Sequence, residues 1–218
     1  QYNHMPLLQE LPEKNIFQAY GILLLQNNHR FVRKLKKHYT PSIHGHKTWN
    51  SSFVLMDYFL HNETLEYEQS IMELGCGWGP ASIFCAQHAS AKVTGVDRDD
   101  EVFPFLEVQA ALNEVDVTTK QASFEKLTKK ELSNYDILIG ADICFWDKLT
   151  GIHFNLIKRA FQAGVKEVVI ADPGREPFYA LAENCLEFFE ECELIDWYAS
   201  EPEYFEADIL HIKNSSDS

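Results

Sequence analysis

Residues 72 to 81 read MELGCGWGPA, with Gly75, Gly77 and Gly79 on alternate positions behind Glu73 and directly ahead of Pro80. Each glycine adds conformational entropy that folding must remove, so a loop that keeps three of them needs a bare backbone where something approaches it. The loop follows an apolar run and opens a helical pattern, with proline at a favoured first-turn position. Backbone N–H groups and the positive end of a helix can therefore meet a bound anionic group. The spacing is G-x-G-x-G, unlike the G-x-G-x-x-G dinucleotide fingerprint, and no Gly-Lys-Ser/Thr follows as in a P-loop. Twenty residues after Gly77, Asp97 ends a second β-branched run. A carboxylate at such a strand tip can accept hydrogen bonds from both hydroxyls of a ribose. Glycine loop and ribose acid together indicate a nucleoside-bearing cofactor with modest phosphate demands.

The elements that must carry these residues follow from periodicity. Past residue 70 the chain alternates apolar runs with helical patterns: candidate strands at 71–75, 92–97, 117–123, 136–142, 167–172, 192–198 and 207–213. Helix-like stretches fall at 80–89, 101–114, 148–162 and 178–191. This is the rhythm of an α/β, Rossmann-like, doubly wound sheet of seven strands, mostly parallel. Only EPEYFE separates the last two strands, too little for a crossover helix, so the last strand is expected to run antiparallel. Residues 1–48 form an N-terminal extension in which YGILLLQNNHRFVRKL fits either a hairpin turning at Asn27 and Asn28 or part of a helix. In TWNSSFVLMDYFL, Ser51 or Asn50 is positioned to cap a helix that places Phe53, Met56, Phe59 and Leu60 on one face. The expected organisation is thus 1–48 extension, 49–213 catalytic-type domain and 214–218 frayed tail.

Two more strands end in carboxylates. Asp142 closes the fourth strand, ahead of Ile143-Cys144-Phe145-Trp146, and strand ends on this side of an open sheet face the ligand crevice. Asp172 closes the fifth and is equally a crevice candidate or plain D-P-G turn chemistry. His38, His44 and His46 lack a Cys or carboxylate that would complete a metal set, and read as loop residues. Cys76 and Cys144 have no neighbouring activating partner and read as packing.

The segments E-L-G-C-G-W-G-P and V-T-G-V-D resemble the cofactor-binding core of class I, seven-strand S-adenosylmethionine-dependent methyltransferases. With H-K-T-W-N-S-S-F-V-L-M-D-Y-F-L, G-A-D-I-C-F-W-D and A-D-P-G-R, the chain is similar to the methyltransferase-like protein-lysine methyltransferases, A-D-P-G-R resembling the branch that acts on electron-transfer flavoprotein. The resemblance implies that Glu73, Gly75 and Gly77 line the amino-acid end of S-adenosyl-L-methionine and that Asp97 holds its ribose. It also implies that Arg98 flanks the adenine, that Ser123 and Phe124 stand where the family binds the adenine amino group, and that Trp49 and Ala141 lie beside the cofactor. Asp142 then meets the acceptor, with Trp49, Phe145 and Trp146 forming an aromatic channel. Where the family commonly has D-x-x-Y, this chain has D-I-C-F, which removes a hydroxyl donor. The expected activity is methyl transfer to a protein lysine amine, yielding S-adenosyl-L-homocysteine. The alternatives are a small-molecule N-methyltransferase of the nicotinamide type and an inactive cofactor-binding interaction module.

Composition constrains the partners. The 218 residues are 45% hydrophobic with net charge −14, ample for the core of one domain. Residues 1–48 hold seven Lys/Arg against two Asp/Glu, leaving twelve against thirty-one for the remainder. From Glu176 to Asp208 there are eleven acidic residues and no Lys or Arg. Such a surface repels nucleic-acid phosphates and is either a solvated face or an attractor for a basic region of a protein substrate. The cluster Arg30, Arg33, Lys34, Lys36 and Lys37 is the counterweight, but no nucleic-acid motif accompanies it. No apolar run reaches the length of a membrane helix, and QYNHMPLLQELPEK lacks the pattern of a secretory signal. Five cysteines without CxxC spacing suit a reducing cytoplasm.

Overall fold

The computed structural model describes residues 14–41 and 49–215. The first elements are β1 (Ile16–Ala19) and β2 (Ile22–Leu25), paired antiparallel with Ala19 opposite Ile22. The hairpin turns at Tyr20 and Gly21, not at Asn27 and Asn28. Both turn residues have positive φ, 49° and 80°, which gives the turn the twist of the strands it joins. Tyrosine is unusual there, and its hydroxyl explains its presence: it donates to Asp57 Oδ2 at 2.7 Å and accepts from the Ser200 N–H at 2.9 Å. The helical reading of the same segment holds further on, in α1 (Arg30–Leu35), capped by the His29 ring.

Next comes α2 (Asn50–Asn62), whose N-cap is Trp49 and has no side-chain capping bond. Neither Asn50 nor Ser51 caps it, because both already lie inside the first turn. The expected single apolar face is also corrected: Ser51 to Phe59 are all buried, whereas Leu60 is exposed. The helix is covered on several sides because it packs on the sheet while its first turn closes a cleft.

From there strands and helices alternate: β3 (Ser70–Leu74), α3 (Pro80–His88), β4 (Lys92–Asp97), α4 (Phe103–Leu112), β5 (Val117–Gln121), α5 (Lys129–Leu132), β6 (Ile137–Ala141), α6 (Asp147–Gln162), β7 (Glu167–Asp172), α7 (Glu176–Phe188), β8 (Glu191–Ala199) and β9 (Phe205–Lys213). The sheet order is β5-β4-β3-β6-β7-β9-β8, with β9 antiparallel to both neighbours and the remaining pairs parallel. Strand period sorts the core. Ile71, Val93, Ile139 and Val169 pack beneath α2, α3 and α4, while Met72, Leu138, Val168 and Ile170 pack beneath α6 and α7. Burial of both faces is why these strands read as continuous apolar runs.

The hairpin joins this body through side chains. Gln109 on α4 and Asn113 at its C-cap exchange amide hydrogen bonds with the backbone of Leu25 and Leu23, so the free edge of β2 is satisfied without another strand. The acidic stretch maps onto α7 and the β8–β9 hairpin, where Glu191, Glu193 and Asp196 of the edge strand are exposed. Charges on an edge strand oppose pairing with another chain. Asn214 departs from the frayed-tail expectation, for its side chain donates to the Phe161 and Val165 carbonyls at 3.0 and 2.9 Å. Residues 216–218 lie outside the described residues. Among the described residues, no helix is long and apolar enough to cross a membrane.

Candidate active site

Successive strands run outward in opposite directions from the β3–β6 pair, and this reversal opens a crevice at their C-terminal ends. A cavity of about 180 Å³ lies there. Every residue that the resemblance assigns to the site lines it: Glu73, Gly75 and Gly77 from the first turn, Asp97 and Arg98 from the tip of β4, Ser123 and Phe124 after β5. Ala141, Asp142, Phe145 and Trp146 follow β6 on the facing side, and Trp49 closes the cavity from the start of α2. Trp49 is also a packing residue, 5.7 Å from the Trp78 ring and 6.3 Å from Phe17, centroid to centroid.

The three glycines have positive φ, 63°, 53° and 77°. A Cβ on Gly79 would lie 2.6 Å from Leu106 Cδ1, and one on Gly75 would lie 2.9 Å from Ile143 Cγ2. Left-handed backbone costs an L-residue roughly 1–2 kcal/mol and overpacking another roughly 1–3. Gly79→Ala is therefore expected to lower stability by about 2–5 kcal/mol in urea unfolding, and a loss below about 0.5 kcal/mol would contradict this packing. Cys76 fits the remaining gap over Gly95, whose Cβ would meet its Sγ at 2.9 Å. Burial pushes the Cys76 and Cys144 thiols well above their ordinary range, so both serve as neutral packing groups.

The carboxylates differ in environment. Glu73 is 2% exposed, and its Oε1 accepts from the Ser82 N–H at 3.1 Å and the Ser82 hydroxyl at 2.7 Å. Burial pushes its pKa up to about 8 against those two bonds. Burial also raises Asp97, opposed by N–H donation from Asp99 and Gly77, each at 3.0 Å. These bonds use part of its accepting capacity; a carboxylate has about four lone-pair sites, which leaves room for a ligand's hydroxyls. Asp142 has φ 59°, and its N–H donates to the Ala171 carbonyl at 2.9 Å. A left-handed aspartate is strained, and surrounding structure must hold it.

Asp172 does not line the cavity. It is fully buried, accepts the N–H groups of Gly174 and Arg175 at 2.9 Å, and pairs with the Arg175 guanidinium at 2.7 Å. Of its two sequence readings, turn chemistry is the one observed. His44 and His46 lie outside the described residues, and among those described no three His, Cys, Asp or Glu side chains converge as a metal set.

Several contributors were missed. Arg175 pairs with Asp142 as well as Asp172, and a D-P-G-R turn opposite another strand-end aspartate was the available signal. His153 sits buried beneath Phe124, ring centroids 4.8 Å apart, with Nε2 2.8 Å from the Ile143 carbonyl. Burial lowers its pKa, keeping it neutral, so it anchors the loop that carries Asp142 without adding charge. Arg159 ties the Phe124 and Leu127 carbonyls at 3.1 and 2.8 Å. Periodicity gave no sign of these last two roles.

A seven-stranded sheet with an antiparallel β9, a glycine turn at its switch point and a carboxylate on the next strand tip defines the class I methyltransferase fold. Solved structures agree. A tRNA (uracil-54, C5)-methyltransferase of Pyrococcus abyssi, in complex with S-adenosyl-L-homocysteine, superposes with TM-score 0.55 at 17% identity, over 91% of this chain and 44% of that one. A precorrin-6y C5,15-methyltransferase of Geobacter metallireducens gives 0.56 at 10% identity, over 82% and 95%. Within that class, the chain belongs to the lysine methyltransferase family, whose model matches residues 32–193. An electron transfer flavoprotein beta subunit lysine methyltransferase of Xenopus laevis is 24% identical over 130 residues, 60% of this chain and 52% of that protein. A protein N-terminal and lysine N-methyltransferase EFM7 of Cryptococcus neoformans is 37% identical over 57 residues, 26% and 19% of the two chains. The chain thus spans about half the length of the first of these relatives and less of the second.

Proposed function

We propose that this protein transfers a methyl group from S-adenosyl-L-methionine to a lysine side-chain amine of another protein. The observation that carries the reading is one cavity edged by two carboxylates of different character, buried Glu73 and ribose-competent Asp97, facing Asp142 and an aromatic pair. Together with family membership, this favours lysine over other acceptors. The residues present fit the cofactor. Bare backbone at Gly75 and Gly77 suits its amino-acid end and the Glu73 carboxyl the ammonium of that end, Asp97 suits the ribose, and Arg98, Ser123 and Phe124 suit the adenine, with Trp49 and Ala141 alongside.

When bound, the cofactor supplies a methyl group already activated by its sulfonium. The protein's own work is then to align the acceptor, exclude water and accommodate an unprotonated amine. Lysine has an ordinary pKa of about 10.4, and an apolar wall disfavours its charged form. Phe145 and Trp146 supply that wall, ring centroids 6.1 Å apart, and Asp142 orients the amine. Residues 49–213 form the catalytic unit of this reading. The acidic β8–β9 face attracts a basic region of the substrate, and the five free cysteines suit a cytoplasmic setting.

The test is incubation with methyl-labelled donor and a dialysed or undialysed cell extract. Label is expected in a protein band, with the electron transfer flavoprotein beta subunit as the first purified acceptor to try. Label confined to a small metabolite would overturn the protein-substrate reading, and label in neither would favour an inactive module.

A further inference from the structure

Arg175, the N-cap residue of α7, places its guanidinium between two strand-end carboxylates. Nη2 donates to Asp142 Oδ1 and to Asp172 Oδ1, the latter at 2.7 Å, and Cζ lies 4.7 Å from the Phe145 ring centroid. Asp172 is fixed before it holds the arginine: it is fully buried, and its other oxygen accepts the Gly174 and Arg175 N–H groups. Gly174, at φ 109°, permits that turn, and a Cβ there would lie 2.8 Å from the Tyr179 hydroxyl. The chain of support therefore runs from the turn to Asp172, from Asp172 to Arg175, and from Arg175 to Asp142 and Phe145.

We propose that Arg175 is a positioning residue for methyl transfer, offsetting part of the negative charge of the Asp142–Asp172 pair so that the acceptor end of the cleft holds an ammonium ion less tightly and admits a neutral amine. The inference rests on the lysine-transfer reading and deepens it. An amine attacks a methyl group through its lone pair, which ammonium lacks. A lone carboxylate within about 4–6 Å favours the ammonium form and would work against the reaction it is placed to orient. Guanidinium is always charged at working pH, and here its one nitrogen Nη2 bridges the two carboxylates. With Arg175 in place, Asp142 keeps its accepting oxygen atoms while part of its charge is offset, and the guanidinium over Phe145 sets the ring that walls the channel.

Other charged groups face this end and remain the same when only Arg175 is changed. Lys148, at the start of α6, holds its Nζ 5.3 Å from the Trp146 ring centroid, next to Asp147. Glu125 reaches the cavity from the turn after β5, and Asp97, Arg98 and Asp99 from the tip of β4. Behind the arginine, Asp208 of β9 accepts from the Tyr179 hydroxyl at 2.5 Å. Cys144 beside Asp142 is a neutral buried thiol and adds no charge.

The experiment uses the full chain as wild type, Arg175→Gln and Arg175→Lys, with Arg175→Met in place of the glutamine variant if that one does not unfold cooperatively. The first readout needs no turnover: binding of n-butylammonium, the lysine side chain in isolation, against neutral n-butanol, followed by indole N–H shifts at pH 7.5. Wild type and Arg175→Lys are expected to show the same preference between the two within about twofold, and Arg175→Gln to prefer the cation about tenfold more strongly than either. An unchanged ratio in Arg175→Gln would overturn the proposal. The second readout is the rate of methyl transfer against pH. Its rising limb is expected to move about one pH unit to the alkaline side in Arg175→Gln, a tenfold effect, and to stay in place in Arg175→Lys. A limb that does not move also overturns it. If the wild type transfers no methyl group to any protein, the lysine-transfer reading falls, while the butylammonium ratio still decides the role of Arg175.

Discussion

Asp97→Ala is expected to weaken binding of S-adenosyl-L-homocysteine by a hundredfold or more. The carboxylate already accepts the Gly77 and Asp99 N–H groups, one on each oxygen, so it is aimed before any ligand arrives. Two ribose hydroxyls would add hydrogen bonds to a charged acceptor, at about 1.5–3 kcal/mol each. Losing both amounts to about 3–6 kcal/mol, more than two decades of affinity. The alanine variant also releases the Gly77 N–H that helps shape the turn. Asp97→Asn keeps the size and one accepting oxygen, and should fall between the two. Calorimetric titration checks the series; equal affinity in wild type and Asp97→Ala would remove the ribose assignment.

Glu73→Gln is expected to move stability and affinity in opposite directions. In the unfolded chain this carboxyl titrates at its ordinary 4.5, and in the fold burial holds it protonated up to about 8. Between those values the unfolded chain has lost a proton that the folded chain retains, so rising pH favours unfolding. The penalty is absent below pH 4.5 and fully developed above pH 8. A glutamine can still accept from Ser82 and carries no titration. The ligand-free variant should therefore match wild type at pH 4 and exceed it at pH 8 by on the order of 3 kcal/mol. Cofactor affinity at pH 8 should drop at least tenfold, because there the carboxyl begins to ionise, a neighbouring ammonium of the amino-acid end favours its charged form, and the amide cannot offer that charge. Urea unfolding across pH together with ligand titration tests both halves. A variant less stable than wild type at pH 8 would contradict the buried-carboxyl account.

The residues that line the cleft were far more legible than those that hold them in place. The glycine turn, Asp97 and Asp142 announce themselves because strand ends and left-handed backbone restrict residue type, and such restrictions are written locally. The strands β3, β4, β6 and β7 were equally plain, since burial on both faces favours apolar side chains, whereas β5, an edge strand with no buried residue, was marked by its β-branched residues. The hairpin turn was missed because its positive-φ residue is Tyr20, whose strain is relieved by Asp57 and Ser200, 37 and 180 positions away. Arg175, His153 and Arg159 were missed for the same reason: each acts through a partner that only the fold brings near. Asn50 and Ser51 had the right chemistry for a cap and lay one or two positions inside the helix, so tertiary placement of Trp49 over the cleft outweighed a local preference.

The central claim is tested most directly by identifying the labelled residue itself. After reaction with methyl-labelled donor, the protein product is hydrolysed to amino acids and the label located by chromatography and mass spectrometry. The account predicts methylated lysine, present with wild type and lost with Asp97→Ala. Label on another amino acid, or methylated lysine formed equally by the Asp97 variant, would contradict it.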